Sequence, residues 1–249
     1  MEGVLERIGD DVRPDLGISI GILHTCLSRL DTWYGHENDP TIIKNIVDLG
    51  FFLVVGYSVG LRGEEVVKID LYNLKLHSED AMNDKHPFVP IPLLGRFKGE
   101  TGTRHHILPI VLETSSSIKN GVWSARILKE RREAGRQRGW LYTTDDDKRM
   151  KASEMEDDLF ELLERVQEET HCIPVSVDVR DEFGIYRSVR RGSTTHAINM
   201  EVSEADITRN NRWRKVEAAG NKHASFSMMD HYTQIKQAIK AMLRYSQAL

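Results

Sequence analysis

Apolar residues recur at helical spacing in two stretches near the start of the chain, Leu16 to Leu30 and Thr41 to Tyr57. The same spacing returns in the second half, where Ser203, three residues before Asp206, has the form of a helix-starting cap. The helices predicted there run over Ser124 to Arg136, Ala152 to Glu169, Val189 to Met200, Ser203 to Arg209 and Tyr232 to Leu249. Most of the chain is therefore predicted to be helical.

Between these groups of helices, apolar and polar residues alternate, which is the spacing of a β-strand. Pro90 and Pro92 have no backbone N–H, so the middle stretch is predicted to be an edge strand or an irregular one. A glycine-rich turn precedes the last stretch. The stretches are Val66 to Leu76, Phe88 to Leu94 and Thr103 to Val111. The sequence predicts an α+β fold that is mostly helical, with one small antiparallel sheet.

The composition is that of a globular protein. The chain has 249 residues, of which 40% are hydrophobic and 29% charged, enough to bury a core as one large domain or two small ones. A formal net charge of −4 argues against coating of nucleic acid by overall charge, although a local basic face can still bind it. The acidic runs and the basic run from Arg126 to Arg138 are predicted to be solvated helix faces. Two later basic clusters, around Arg190 and Arg212, are the functional candidates.

Cysteine usage and targeting signals narrow the class of protein. Cys26 and Cys172 are far apart in the sequence, so neither a disulfide framework nor a zinc site is predicted, and a reducing compartment is favoured. There is no signal-peptide pattern, and the longest apolar run, Phe51 to Val55, is too short to span a bilayer. We expect a soluble, intracellular protein with no bound metal or cofactor and no membrane association.

Four residues suited to metal-free attack on a DNA phosphodiester follow one another along the chain. Arg62 lies in the tract Gly-Leu-Arg-Gly-Glu-Glu, Lys98 in the glycine-rich turn, and Arg190 at the start of a predicted helix. Tyr232 begins the last predicted helix. Arginine donates two parallel hydrogen bonds to phosphate oxygens, lysine can protonate a leaving oxygen, and tyrosine can attack phosphorus when cations favour its ionised form. This order predicts a DNA strand-transfer catalyst.

The tracts around these residues resemble the catalytic domain of tyrosine recombinases, from about Thr41 to the C-terminus. The family pattern Gly-Leu-Arg-x-x-Glu matches Arg62 and Glu65, and the lysine of the family's hairpin matches Lys98. The resemblance implies a helical lead-in or linker over residues 1–40 and a catalytic domain over residues 41–249. Because the family usually places a further helical domain before the catalytic one, DNA binding by this chain alone is expected to be weak and sensitive to salt.

The second half of the family pattern matches with one departure. Arg190 takes the place of the second arginine, but Arg187 stands where the family has a histidine. The next position, histidine or tryptophan in the family, is assigned to Trp213 by its distance from Arg190. His223 is the alternative, because it precedes Tyr232 by the usual gap and lies in a tract like the family's Gly-His-x-Ser.

The resemblance implies a role for each of these residues. Tyr232 is the nucleophile that forms a 3′-phosphotyrosyl bond, and Lys98 protonates the departing 5′ oxygen. Trp213 contributes its indole N–H and packing against the attacked phosphate. The cations that hold the phosphate are Arg62, Arg187 and Arg190, with Glu65 in support, and the DNA-binding cations are Arg191, Arg212 and Arg214.

The implied function is that of a site-specific recombinase or integrase acting on double-stranded DNA in the movement of a mobile element. Two alternatives stay open: a DNA-binding protein of recombinase ancestry that no longer cleaves, and a relaxing enzyme like the type IB topoisomerases. The family also implies a homo-tetramer on DNA held by the C-terminal helix. Such a protein would lie in the cytoplasm of a prokaryote or in a nucleus.

Overall fold

The computed structural model of the chain describes residues 16–74, 87–95, 104–144, 146–210 and 243–249. The predicted fold class is confirmed, since these residues are mostly helical with one two-stranded antiparallel sheet. The helices are α1 (Ile20–His36), α2 (Pro40–Val59), α3 (Gly63–Val66), α4 (Asn120–Glu133), α5 (Glu156–Thr170), α6 (Val179–Glu182), α7 (Ser188–Asn199), α8 (Glu204–Asn210) and α9 (243–248). The strands are β1 (Phe88–Gly95) and β2 (Arg104–Val111), and a 3-10 helix, Ala152–Met155, precedes α5.

Helix α2 is the centre of the fold. Every residue from Ile46 to Val59 is buried, and the helix packs against α1, α4 and α7. Among the described residues it is the one helix long and apolar enough to cross a bilayer, but 78% of the stretch that passes this test is buried inside the fold. A core helix of a globular protein passes the same test, so this feature is accounted for by the core.

The start of α2 is fixed by a side-chain cap. Asp39 accepts hydrogen bonds from the backbone N–H groups of Thr41 at 2.8 Å and Ile42 at 3.4 Å, and Pro40 supplies the first helical residue, where no donor is needed. We expect Asp39→Ala to lower the free energy of unfolding by about 1 kcal/mol, and Asp39→Asn, which keeps the acceptor, to change it far less. Urea denaturation measures both variants. An equal loss in both would contradict the capping role.

β1 can contain two prolines because the side on which each lacks a backbone N–H faces away from β2. In a strand, the N–H and C=O of one residue face the same neighbour, and the Pro92 carbonyl accepts from Asp70 N at 2.8 Å. The missing N–H of Pro92 therefore faces the chain around Asp70 and not β2. β1 pairs with β2 along its whole length, with Pro90 opposite Pro109, and it touches residues 68–70 on its other side. β1 is a regular strand and an edge strand of the two-stranded sheet in the described part of the chain, so the edge alternative of the prediction is confirmed and the irregular one was wrong.

The predicted strand from Val66 to Leu76 was also wrong in the part that the structure describes. Only isolated bridges form there, between Ile69 and Leu93 and between Asp70 and Trp140. The Asp70 carboxylate accepts from Tyr72 N at 3.3 Å and from the Asn73 side chain at 2.6 Å, which holds the chain in a turn.

The helices of the second half begin and end close to the predicted positions. Near the start of the chain, α1 begins later than predicted, at Ile20, because the residues before it are extended and hydrogen-bond to the first residue of α7. Ile18 N donates to Ser188 O at 2.9 Å. The cap predicted for α8 is confirmed, since the Ser203 hydroxyl accepts from Asp206 N at 3.2 Å. In the C-terminal region, α9 is the described part of the helix predicted from Tyr232 to Leu249.

The basic run from Arg126 to Arg138 is not a solvated face throughout. Arg131 is buried, pairs with Asp48 and Glu130, and donates through Nε to Leu141 O at 2.9 Å. Arg126 lies over the rings of Tyr34 and Trp123. These arginines hold α4 against α1 and α2. The prediction holds for the acidic helix α5, whose residues Asp157, Glu161, Glu168 and Glu169 are exposed.

Candidate functional site

A left-handed turn at the end of α2 places Arg62 at the surface of the core. Gly60 has a φ of 62°, its N–H bonds to Tyr57 O at 3.2 Å, and Leu61 N bonds to Gly56 O at 2.9 Å. This turn ends α2 and reverses the chain so that Arg62 directly precedes α3. Arg62 is thereby attached to the most deeply buried helix of the fold, which fixes its backbone.

Glu65 joins the two arginines that the sequence singled out. Its Oε2 accepts from the Arg62 backbone N–H at 2.9 Å, and its Oε1 lies 3.6 Å from Arg62 Nη1. The same Oε2 lies 3.5 Å from Arg190 Nη1, although the two residues are 125 positions apart in the chain. Glu65 and Arg190 are 7% and 6% exposed, whereas the Arg62 side chain is 40% exposed.

Helix α7 carries Arg190 to this place by packing closely against two other segments. A Cβ added at Gly192 would overlap the carbonyl oxygen of Ile18, so only glycine allows the extended segment before α1 to lie on α7 at this point. On the α2 side, Ser193 Oγ donates to Tyr57 O at 2.5 Å. Because α2 leads into Arg62 and α7 begins just before Arg190, this packing brings the two arginines together.

Arginines outnumber carboxylates among the described contacts of the site. Arg62 and Arg190 share the Glu65 carboxylate, so these three side chains together carry a net positive charge. Arg187, at the N-cap of α7, is exposed, and Arg191 is half-buried in its first turn. The aligned peptide dipoles at the start of a helix add partial positive charge there. This arrangement can bind a multiply charged oxyanion such as a phosphate.

The C-terminal residues lie close to the same helix, which the sequence did not indicate. Tyr245 is fully buried, and its hydroxyl hydrogen-bonds to Ser193. The Ser246 hydroxyl accepts from Val111 N at 3.2 Å. In the sequence, close packing on this part of α7 is indicated only by two small residues, Gly192 and Ser193, that directly follow two arginines.

The remaining predicted residues lie outside the described part of the chain. These are Lys98, Arg212, Trp213, Arg214, His223 and Tyr232. The structure therefore relates Arg62, Glu65 and Arg190 to one another and describes where Arg187 and Arg191 lie. The choice between Trp213 and His223 stays open.

Comparisons with known proteins give a distant similarity to a solved structure. No protein-family model matches the chain, and no curated protein matches it. Among solved structures, it is similar to a chain of a complex between an Flpe mutant and a DNA Holliday junction, at 14% sequence identity and a TM-score of 0.47. The alignment covers 96% of this chain and 53% of that one, so this chain spans about half the length of its structural relative. The function of this chain has to be inferred from its own residues.

Proposed function

We propose that this protein is a DNA strand-transfer enzyme of the tyrosine recombinase type. The observation that carries the proposal is the shared contact of Arg62 and Arg190 with Glu65. Two guanidinium groups from distant parts of the chain lie at one carboxylate, next to a helix start that carries further arginines. Ordinary surface ion pairs are between exposed side chains, whereas Glu65 and Arg190 are buried at the end of the central helix.

Glu65 links the two arginines through one nitrogen of each side chain. A guanidinium group has five N–H donors in one plane. In the proposed complex with DNA, both guanidinium groups donate to the two non-bridging oxygens of a phosphodiester. A fixed pair of cations stabilises the negative charge that builds up on these oxygens in the transition state, which is the role that metal ions have in many phosphoryl-transfer enzymes.

The proposed reaction exchanges one phosphoester bond for another. The Tyr232 oxygen attacks phosphorus and forms a P–O bond, while the bond from phosphorus to the 5′ oxygen breaks. Lys98 gives a proton to the 5′ oxygen, and positive charge from Arg62, Arg187 and Arg190 favours the ionised phenol. The phosphotyrosyl product conserves the bond energy, so a 5′ hydroxyl from another duplex can reverse the step. Strand exchange is the result.

The other parts of the proposal concern organisation and partners. The catalytic unit extends over residues 41–249, Trp213 or His223 completes the site, and Arg191, Arg212 and Arg214 contact DNA. The target is double-stranded DNA in a prokaryotic cytoplasm or a nucleus, and the process is the integration or excision of a mobile element. A homo-tetramer held by the C-terminal helix stays a prediction.

The test is detection of the covalent intermediate. The full chain is incubated with a randomised library of duplexes that carry one nick, because the short strand released next to a nick diffuses away and traps the intermediate. We expect a protein–DNA adduct that resists boiling in detergent and that peptide mass spectrometry maps to Tyr232. DNA binding without an adduct would contradict the enzyme and favour the non-cleaving DNA-binding protein. Relaxation of a supercoiled plasmid without recombination between two target sites would favour the topoisomerase.

A further inference from the structure

Three hydroxyl and carbonyl groups form a buried chain beside Arg190. Ser193, one helical turn after Arg190, donates its only hydroxyl proton to Tyr57 O at 2.5 Å. Its oxygen must then accept from the Tyr245 hydroxyl, with which it is in contact. The chain therefore runs from α9 through α7 to the end of α2. These three helices carry or adjoin the residues at the proposed phosphate site.

The Tyr245–Ser193 hydrogen bond acts on the turn of α7 that carries Arg190. Ser193 comes one helical turn after Arg190, and Glu65 contacts the Arg190 guanidinium group. Burial raises the pKa of Tyr245 to about 12, and both the Ser193 hydrogen bond and the charge of Arg190 act against that rise. Arg190 is thus held at its guanidinium group by Glu65 and at its helix turn by the contact between Tyr245 and Ser193.

The segment that carries Tyr245 is tied to the fold beyond this one contact. Ser115 N donates to Gln247 O at 2.7 Å, and the Ser115 hydroxyl donates to Ala248 O at 2.8 Å. Leu249 is fully buried. Residues 243–249 therefore bridge the end of β2 and helix α7, and Tyr245 contacts α7 from this bridge through Ser193.

We propose that Tyr245 and Ser193 are positioning residues that hold the turn of α7 carrying Arg190 in the place that phosphate binding requires, so that seating of residues 243–249 controls the rate of DNA cleavage. This inference rests on the proposed function. Tyr245 is buried and takes no direct part in the chemistry. Its effect is exerted through Arg190. The guanidinium group must be held in a fixed orientation so that its N–H donors meet a phosphate oxygen. A displacement of about 1 Å in a catalytic group can lower a rate by about 10²-fold.

The first test is the rate of adduct formation in a single turnover at saturating DNA. We expect Tyr245→Phe to lower this rate about 10- to 100-fold, with DNA affinity and melting temperature nearly unchanged. The matched control is Tyr142→Phe, which also removes a buried hydroxyl, but one without a hydrogen-bond partner in the structure. A rate for Tyr245→Phe equal to that of the control would overturn the inference.

The second test is a double-mutant cycle. If Tyr245 acts through Arg190, Tyr245→Phe has no further effect on the rate once Arg190→Gln is present, and Ser193→Ala added to Tyr245→Phe has little further effect. If the change at Tyr245 only loosened the fold, it would lower the rate by the same factor in both backgrounds. Equal factors would therefore refute the positioning role even if Tyr245→Phe is slow.

The third test does not depend on catalysis. In NMR spectra of the full chain labelled with ¹⁵N-arginine, the Arg190 Nε–H signal is assigned by its loss in Arg190→Gln. We expect Tyr245→Phe to shift this signal and speed its hydrogen exchange, and Tyr142→Phe to leave it unchanged. If the wild-type chain forms no adduct, the proposed function fails and these spectra still decide the coupling. An unshifted signal rejects the coupling, whether or not the adduct forms.

Discussion

Replacing Arg190 by glutamine is expected to lower the single-turnover rate of DNA cleavage by about 10²- to 10³-fold, the range found when one fixed donor to a transition-state oxyanion is removed. Arg190 is 6% exposed and held by Glu65, so its guanidinium group is already oriented before DNA binds. Glutamine keeps a hydrogen-bond donor but loses the charge and the planar fork. The rate of adduct formation on a cleaved sequence, at saturating DNA, measures the effect.

Arg190→Lys separates charge from geometry. Lysine keeps the positive charge but cannot donate two parallel hydrogen bonds, so we expect a rate still at least about tenfold below wild type. Arg149→Gln is the control, because Arg149 is exposed, lies over the Trp140 ring and is not one of the proposed site residues. Wild-type rates in Arg190→Gln, or a uniform loss of DNA affinity with no loss of rate, would contradict the proposed role of Arg190.

Glu65 explains how an arginine can stay buried at this site before any phosphate is bound. A charged group in the interior is costly unless it is paired, and Glu65 supplies the pair for Arg190 while also accepting from the Arg62 backbone. The same carboxylate leaves the cluster with a surplus of positive charge. In the proposed reaction, both guanidinium groups donate to the two non-bridging oxygens of the phosphodiester. The site is thus organised in advance for an anion.

The sequence predicted what depends on local pattern. α2 and α7 follow from their apolar spacing, and the α8 cap follows from Ser203 and Asp206. The pairing of Arg62, Glu65 and Arg190 was suggested by the resemblance and not by spacing. The contact between Ser193 and Tyr245 was not predicted, because a hydrogen bond between residues 52 positions apart has no local signal.

Two predictions failed because a local pattern has more than one structural cause. Val67, Ile69 and Leu71 are all buried, as alternate residues of a strand would be, but Val67 and Leu71 lie in turns and Ile69 forms an isolated bridge. The arginines of α4 were predicted to form a solvated helix face, yet Arg131 has a buried partner in Asp48, 83 positions away. Charge runs in a sequence do not reveal which member meets a distant counter-ion.

Replacing Arg131 by methionine is expected to lower the free energy of unfolding by about 3–5 kcal/mol, because it leaves a buried carboxylate without its main partner. Asp48 is 2% exposed and would keep only Lys44, whose Nζ lies 3.0 Å away. The Leu141 carbonyl would also lose the shorter of its two hydrogen bonds and keep the one from Arg136 Nη1 at 3.4 Å. Arg132→Met is the control, since Arg132 is the exposed neighbour on the same helix, and we expect a change within about 0.5 kcal/mol. Urea denaturation measures both variants.

The double variant Asp48→Leu with Arg131→Met shows whether the loss comes from the unpaired charge. Replacing both members of a buried ion pair by apolar residues is often neutral, so we expect the double variant to recover most of the stability that Arg131→Met loses. Lys44 and Glu130, which are partly exposed, can turn to water when their partners are gone. A double variant less stable than Arg131→Met alone would show that packing of the long arginine side chain against α2, and not its charge, holds α4 in place.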